Sequence, residues 1–114
     1  MSKKDLIEYT EDTFKEIENH DGVSVIRFYA DWCKPCHEGE PFFDMAVKHM
    51  GNAVKVGIVN VLAAPVLTEK YAVWGLPNVL IFSNGQLVKR LSGTLSTAAY
   101  LDAVDNVIKT TQKL

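Results

Sequence analysis

A chain of 114 residues is expected to hold one domain, with enough length to bury a core without help from disulfides. Its 47% hydrophobic and 23% charged residues are those of an ordinary globular protein. A net charge of −2, with lysines and arginines scattered along the chain, excludes an electrostatic nucleic-acid binder, and no apolar run is long enough to span a bilayer. Neither a nucleic acid nor a membrane is therefore expected as partner. Met1-Ser2-Lys3-Lys4-Asp5 leads into an acidic segment rather than the apolar core of an export signal, so the expected compartment is the reducing cytoplasm.

Leu6-Ile7-Glu8-Tyr9 has the character of a short strand. Thr10 or Asp12 then stands where a helix cap is needed, Thr13 and Glu16 have capping-box spacing, and Phe14 and Ile17 form the inner face of the helix. Asn19-His20-Asp21-Gly22 closes it as a turn, with His20 exposed. Val23 to Ala30 reads as a strand buried on both faces, the kind found in parallel sheets, and Arg27 is its one charge.

Directly after this strand comes Ala30-Asp31-Trp32-Cys33-Lys34-Pro35-Cys36-His37, which holds both cysteines of the chain. A C-x-x-C pair at a strand-to-helix junction points to a redox dithiol. A helix beginning here presents unpaired N–H groups and its positive dipole end beside Cys33, favouring the thiolate that attacks in disulfide exchange. Cys36 follows one turn along, where it can resolve the resulting mixed disulfide. Buried structural thiols are a weaker reading, because Lys34, Pro35 and His37 make poor interior neighbours. Half a zinc site is weaker too: His37 follows Cys36 too closely to share a tetrahedral site, and His20 and His49 have no ligand spacing. Neither metal nor organic cofactor is implied, since the dithiol itself carries the electrons.

Beyond Cys36, the pattern Pro41, Phe42, Met45, Ala46, Met50 suits a helix ending at Gly51-Asn52, with a kink at Pro41. Val54 to Val61 is a second buried strand. Ala63-Ala64-Pro65 turns the chain into a short helix from Val66 to Tyr71, and Trp74-Gly75-Leu76-Pro77 is a loop. Val79-Leu80-Ile81-Phe82 is a third core strand, and Ser83-Asn84-Gly85 marks a hairpin into Gln86 to Leu91, making this pair antiparallel. Gly93 breaks the last strand, and Ser96 caps a final helix with Tyr100, Leu101, Val104, Val107 and Ile108 inward. The order predicts an α/β fold, a mixed sheet of about five strands with helices on both faces and right-handed parallel connections, over residues 1–114.

These motifs together make the chain resemble the thioredoxin family over nearly its whole length. Trp32-Cys33-Lys34-Pro35-Cys36 matches the family's Trp-Cys-x-Pro-Cys signature, with Phe28-Tyr29-Ala30 before it and the helix-kinking Pro41 after. Gly75-Leu76-Pro77 matches its Gly-aliphatic-Pro loop, Asn84-Gly85 its hairpin, and Gly93 a glycine kept beside the active site. The resemblance implies the thioredoxin fold and a thiol–disulfide oxidoreductase. It makes Cys33 the nucleophile and Cys36 the resolving thiol, joined as a Cys33–Cys36 disulfide when oxidised. It implies a cis Pro77 facing the dithiol, which exposes the Leu76 backbone to an incoming peptide strand. Trp32, Trp74, Gly75, Leu76 and Gly93 would line a shallow apolar patch for the substrate, beside Lys34 and Pro35; on burial habits alone, Trp74 reads as core. The implied partners are protein disulfides and a separate thiol reductase that recycles the protein, which is expected to be a monomer.

The chain also departs from the family pattern. Lys34 stands where typical thioredoxins have glycine, and its ammonium is expected within a few ångströms of both sulfurs, lowering their pKa. His37 replaces a lysine and reads as an exposed residue of the first helical turn. Asn78 replaces the usual threonine after the proline. Arg27 stands where the family buries an aspartate beneath the second cysteine, and the lysine and aspartate often found nearby are here Ile58 and Leu62. Two readings of Arg27 stay open. Its stem could lie along the core with the guanidinium at the sheet edge or on an acidic partner. Alternatively it reaches Cys36 and stabilises the thiolate. At roughly 6 Å and an effective dielectric near 20 that charge is worth about 3 kcal/mol, or about 2 pKa units, raising the redox potential by roughly 20–60 mV. The missing buried pair keeps a second function in view, a thioredoxin-fold interaction module or subunit with weak or no redox activity. A dithiol holding zinc or an iron–sulfur cluster across a dimer interface is a third.

Overall fold

In the computed structural model, which describes residues 6–112, the strands β1 (Ile7–Glu8), β2 (Val23–Tyr29), β3 (Lys55–Asn60), β4 (Asn78–Ser83) and β5 (Gln86–Ser92) form one sheet. Its order is β1-β3-β2-β4-β5. The pairs β1–β3 and β2–β3 are parallel, whereas β2–β4 and β4–β5 are antiparallel. Helices α1 (Lys15–Glu18), α2 (Lys34–Met50), α3 (Pro65–Lys70) and α4 (Thr97–Gln112) complete the thioredoxin fold.

The near-continuous apolar run of β2 follows from its place at the centre of this sheet, where Val23 to Phe28 are all buried. Alternate side chains enter opposite cores. Ile26 and Phe28 join Tyr9, Phe14, Leu80 and Phe82 on one face. Val23 and Val25 join Phe43, Ala46, Val79 and Tyr100 on the other, beneath α2 and α4. Phe14 sits at the middle of the first core, edge-on to Tyr9, Phe28 and Phe82 at 5.6–6.4 Å. The Tyr9 ring lies over Gly57, where an added Cβ would stand 2.3 Å from a ring carbon, so β3 needs glycine there.

Several local expectations shift. The first helix is only four residues long and Thr13 does not cap it with Glu16. Thr10 and Thr13 instead bond each other's backbone, Thr10 N–H to Thr13 Oγ1 at 2.9 Å and Thr13 N–H to Thr10 Oγ1 at 3.3 Å, closing the preceding turn. His20 is half-buried rather than exposed. Helix α2 starts at Lys34, with Cys33 as its cap, and its buried face is Cys36, Gly39, Phe43, Ala46 and Met50. Phe42 and Met45, expected inside, are 47% and 46% exposed. The true face repeats at three- and four-residue steps from Cys36, and reading it from Pro41 rotates the helix by one residue. The helix runs on through Pro41. Ser96 caps α4 as expected, accepting Ala99 N–H at 3.1 Å.

Candidate active site

Strand β2 ends at Tyr29, and four residues later Cys33 becomes the cap of α2. Its sulfur takes the place of the usual capping oxygen, because the Cys36 N–H points at Cys33 Sγ across 3.2 Å. The first N–H of the turn is held by the Ala30 carbonyl at 3.2 Å, which fixes the entry of the chain into the helix. Both cysteines are free thiols and nearly covered, Cys33 4% and Cys36 3% exposed, while Trp32, Lys34, Pro35 and His37 around them are exposed.

An open groove of about 430 Å³ runs past Cys33. Of the residues expected to meet substrate, Trp32, Lys34, Pro35, Trp74 and Leu76 line it. Trp74 is 86% exposed, against its burial habit. The Leu76-Pro77 bond is cis. Gly93, at a φ of 82°, donates its N–H to the Pro77 carbonyl at 2.9 Å, and Gly75 is the exposed neighbour of Trp74. Val61, Thr68 and Val73 also line the groove and were not foreseen. Val61 was the discoverable one: it follows directly on β3, whose parallel neighbour β2 runs out at the cysteine motif, and open α/β sheets place sites at such strand ends.

Lys34 is exposed and extends along α2 to within 3.9 Å of Glu38. The His37 Nε2–H donates to the Asp31 carbonyl at 2.5 Å. Asn78 reaches the Gly75 carbonyl and Ser92 Oγ, both at 3.4 Å, bracing the loop ahead of Pro77.

Arg27 is 4% exposed and goes neither to the sheet edge nor to solvent. Its Nη2 donates to the Cys36 carbonyl at 2.7 Å, and its guanidinium carbon lies 5.7 Å from the centre of the Phe43 ring. The arginine thus reaches Cys36 through the backbone. Its charge pulls the Cys36 thiol down, but this is the smallest of several influences. Burial, first, and the hydrogen bond with Cys33 outweigh it and push the thiol up to about 11.

Among the described residues no cluster of three or more His, Cys, Asp or Glu side chains could hold a metal ion, and no helix is long and apolar enough to cross a membrane.

Residues 5–106 match the Thioredoxin family. The chain belongs to the thioredoxin family. Its relatives include a thioredoxin of Buchnera aphidicola subsp. Schizaphis graminum, 30% identical over 105 residues that cover 91% of this chain and 97% of that protein. A thioredoxin of Rhodospirillum rubrum is 30% identical over 80% of this chain and 88% of its own. Protein disulfide-isomerase A6 of Mesocricetus auratus is 37% identical over 75% of this chain, a match confined to 20% of that longer protein. A solved structure from work on the thiol resolving mechanism in yeast mitochondrial 1-Cys peroxiredoxin via glutathione/thioredoxin systems superposes with a TM-score of 0.83. It covers 93% of this thioredoxin-family chain and 99% of its own at 20% identity, a likeness of fold.

Proposed function

We propose that the protein is a thiol–disulfide oxidoreductase that acts on protein disulfides through Cys33 and Cys36. The Cys33 thiolate attacks one sulfur of a substrate disulfide, and the other sulfur leaves as a thiolate and takes up a proton. Cys36 then loses its proton and attacks Cys33 Sγ, the substrate's remaining sulfur departs, and the Cys33–Cys36 disulfide is left behind. A separate thiol reductase returns the two electrons. The observation that carries this reading is the Cys36 N–H aimed at Cys33 Sγ at the tip of a 17-residue helix, where dipole and hydrogen bond both favour a sulfur anion.

In the same reading, the substrate strand lies in the groove beside Trp32, Lys34, Pro35 and Trp74. It pairs with the backbone of Leu76 ahead of Pro77, flanked by Gly75 and Gly93. Arg27 and His37 tune the dithiol from below and from the first helical turn. The protein works as a single domain and as a monomer, in a reducing compartment such as the cytoplasm, with no metal or organic cofactor.

Insulin reduction coupled to a dithiol reductant tests the proposal. Wild type should be active, Cys33→Ser inactive, and Cys36→Ser should hold mixed disulfides that wild type releases. If wild type is inactive and alkylation of Cys33 at neutral pH is no faster than that of an ordinary thiol, the chain is an interaction module on this fold.

A further inference from the structure

The oxidoreductase reading contains a step that needs a base. Cys36 must lose a proton before it can resolve the mixed disulfide, and burial holds that thiol at about 11. The β2 residue beneath it is Arg27, a permanent cation that can take up no proton. Some other group must accept it.

A cleft of about 10 Å³ adjoins Cys36, room for a single water. Its titratable lining is Arg27, Tyr29, Asp31, Cys36, His37 and Glu40. Tyr29 is itself a proton donor: its hydroxyl gives its hydrogen to Glu8 Oε1 at 2.9 Å, and burial pushes its pKa up. His37 is exposed with Nε2 turned to the Asp31 carbonyl, and Asp31 is an exposed residue ahead of the helix. Asp44 lines only the neighbouring cavity toward Leu6 and Ile58. Glu40 is half-buried, lies one helical turn beyond Cys36 on α2, and lines both cavities together with Arg27 and Tyr29. Residues four apart on a helix have Cβ atoms about 5–6 Å apart, a span that one water bridges.

We infer that Glu40 is the general base for Cys36, and that Arg27 is the positioning residue that keeps a carboxylate on this side of the thiol. The proton acceptor then lies on helix α2, one turn beyond Cys36, and not on strand β2. In the step, the Cys36 proton passes to the Glu40 carboxylate, directly or through the water. The Cys36 sulfur forms its bond to Cys33 Sγ as the bond from Cys33 Sγ to the substrate sulfur breaks. The electron pair leaves on the substrate thiolate, which is then protonated, so Glu40 ends as it began once it returns the proton to solvent.

The inference rests on the oxidoreductase reading, and the test separates the two. Reduced protein is mixed in a stopped-flow instrument with one equivalent of dithiobis(nitrobenzoate). The first release of nitrothiobenzoate reports attack by Cys33, and the second reports resolution by Cys36. Wild type should show both phases, with the second nearly independent of pH around neutrality. In Glu40→Gln the ratio of second to first rate constant should fall by about a hundredfold, and the second phase should rise about tenfold per pH unit as hydroxide becomes the base. Glu40→Asp, which keeps a carboxylate on the same helical face, should retain the flat profile. An unchanged ratio in Glu40→Gln overturns the role of Glu40, as does a slower second phase with the wild-type pH profile, which marks a structural effect. A wild type with no second phase removes the oxidoreductase reading itself.

Discussion

Cys36 meets opposed influences at atomic range: burial and the hydrogen bond with Cys33 raise its pKa and the Arg27 charge lowers it by less, leaving the thiol at about 11. In the reduced protein near pH 7 this sulfur therefore keeps its proton. A cation that stabilises only the thiolate then has no purchase on the equilibrium potential, and the rise of roughly 20–60 mV expected from the sequence does not arise at neutral pH. Arg27→Met should accordingly match the wild-type potential against glutathione at neutral pH, while the alkaline thiolate titration of Cys36 moves upward; a potential that falls in the variant would contradict the protonated state. The same raised pKa has a consequence for stability. Between pH 9, the ordinary value, and about 11 the folded reduced protein binds a proton that the unfolded chain has released. Its stability contribution is whole below pH 9 and is lost as pH climbs through that window, by about 3 kcal/mol. Denaturant melts of reduced wild type and Cys36→Ser should thus converge across this range, since the buried tyrosines affect both alike.

Between elements, the contact of α1 with α3 runs through one carboxylate. Glu18 receives Lys70 Nζ at 2.7 Å and the Tyr71 hydroxyl. Burial alone would raise its pKa, but the Lys70 and Tyr71 hydrogen bonds and the Lys70 charge outweigh it and hold the carboxyl below 4.5. A depressed carboxylate stabilises the fold above its ordinary value and ceases to do so as pH falls through the folded one. Glu18→Gln should therefore cost about 1 kcal/mol or less at neutral pH, because Lys70 remains more than half exposed, and nothing in strong acid. Urea titrations at the two pH values check the sign. This tie was not legible in the sequence, since its partners lie 52 and 53 residues apart and no local pattern joins them. The same limit explains α2: the apolar letters of Phe42, Phe43, Met45 and Ala46 permit two adjacent faces. Only the start at Lys34, set by Cys33 as cap, chooses the one with Phe43 inside. Strand β2 and the Asn84-Gly85 hairpin were legible because burial on both faces and a turn at φ of 52° and 84° are each written in consecutive residues.

Across the whole molecule, the groove assembles residues 32–35, 61, 68, 73, 74 and 76 at the end of the sheet where β2 and β3 stop. The cysteine motif could be read directly, being contiguous, whereas Val61, Thr68 and Val73 are brought there only by the crossing of β3 and α3 beside it. The fold leaves two tryptophans in water at this place, Trp32 at 68% and Trp74 at 86% exposure, instead of spending them on either core. A side chain so little buried contributes little to folding, so Trp74→Ser should leave the free energy of unfolding within about 0.5 kcal/mol of wild type. If the groove receives a protein strand, the same change removes a large aromatic contact from the complex. KM for insulin should then rise about tenfold, with kcat close to unchanged, since the contact is made equally before and during exchange. The rate with dithiobis(nitrobenzoate), which lays no peptide strand along the groove, should stay at the wild-type value. Equal losses toward both disulfides would instead tie Trp74 to the reactivity of the dithiol and move the docking surface elsewhere on the fold.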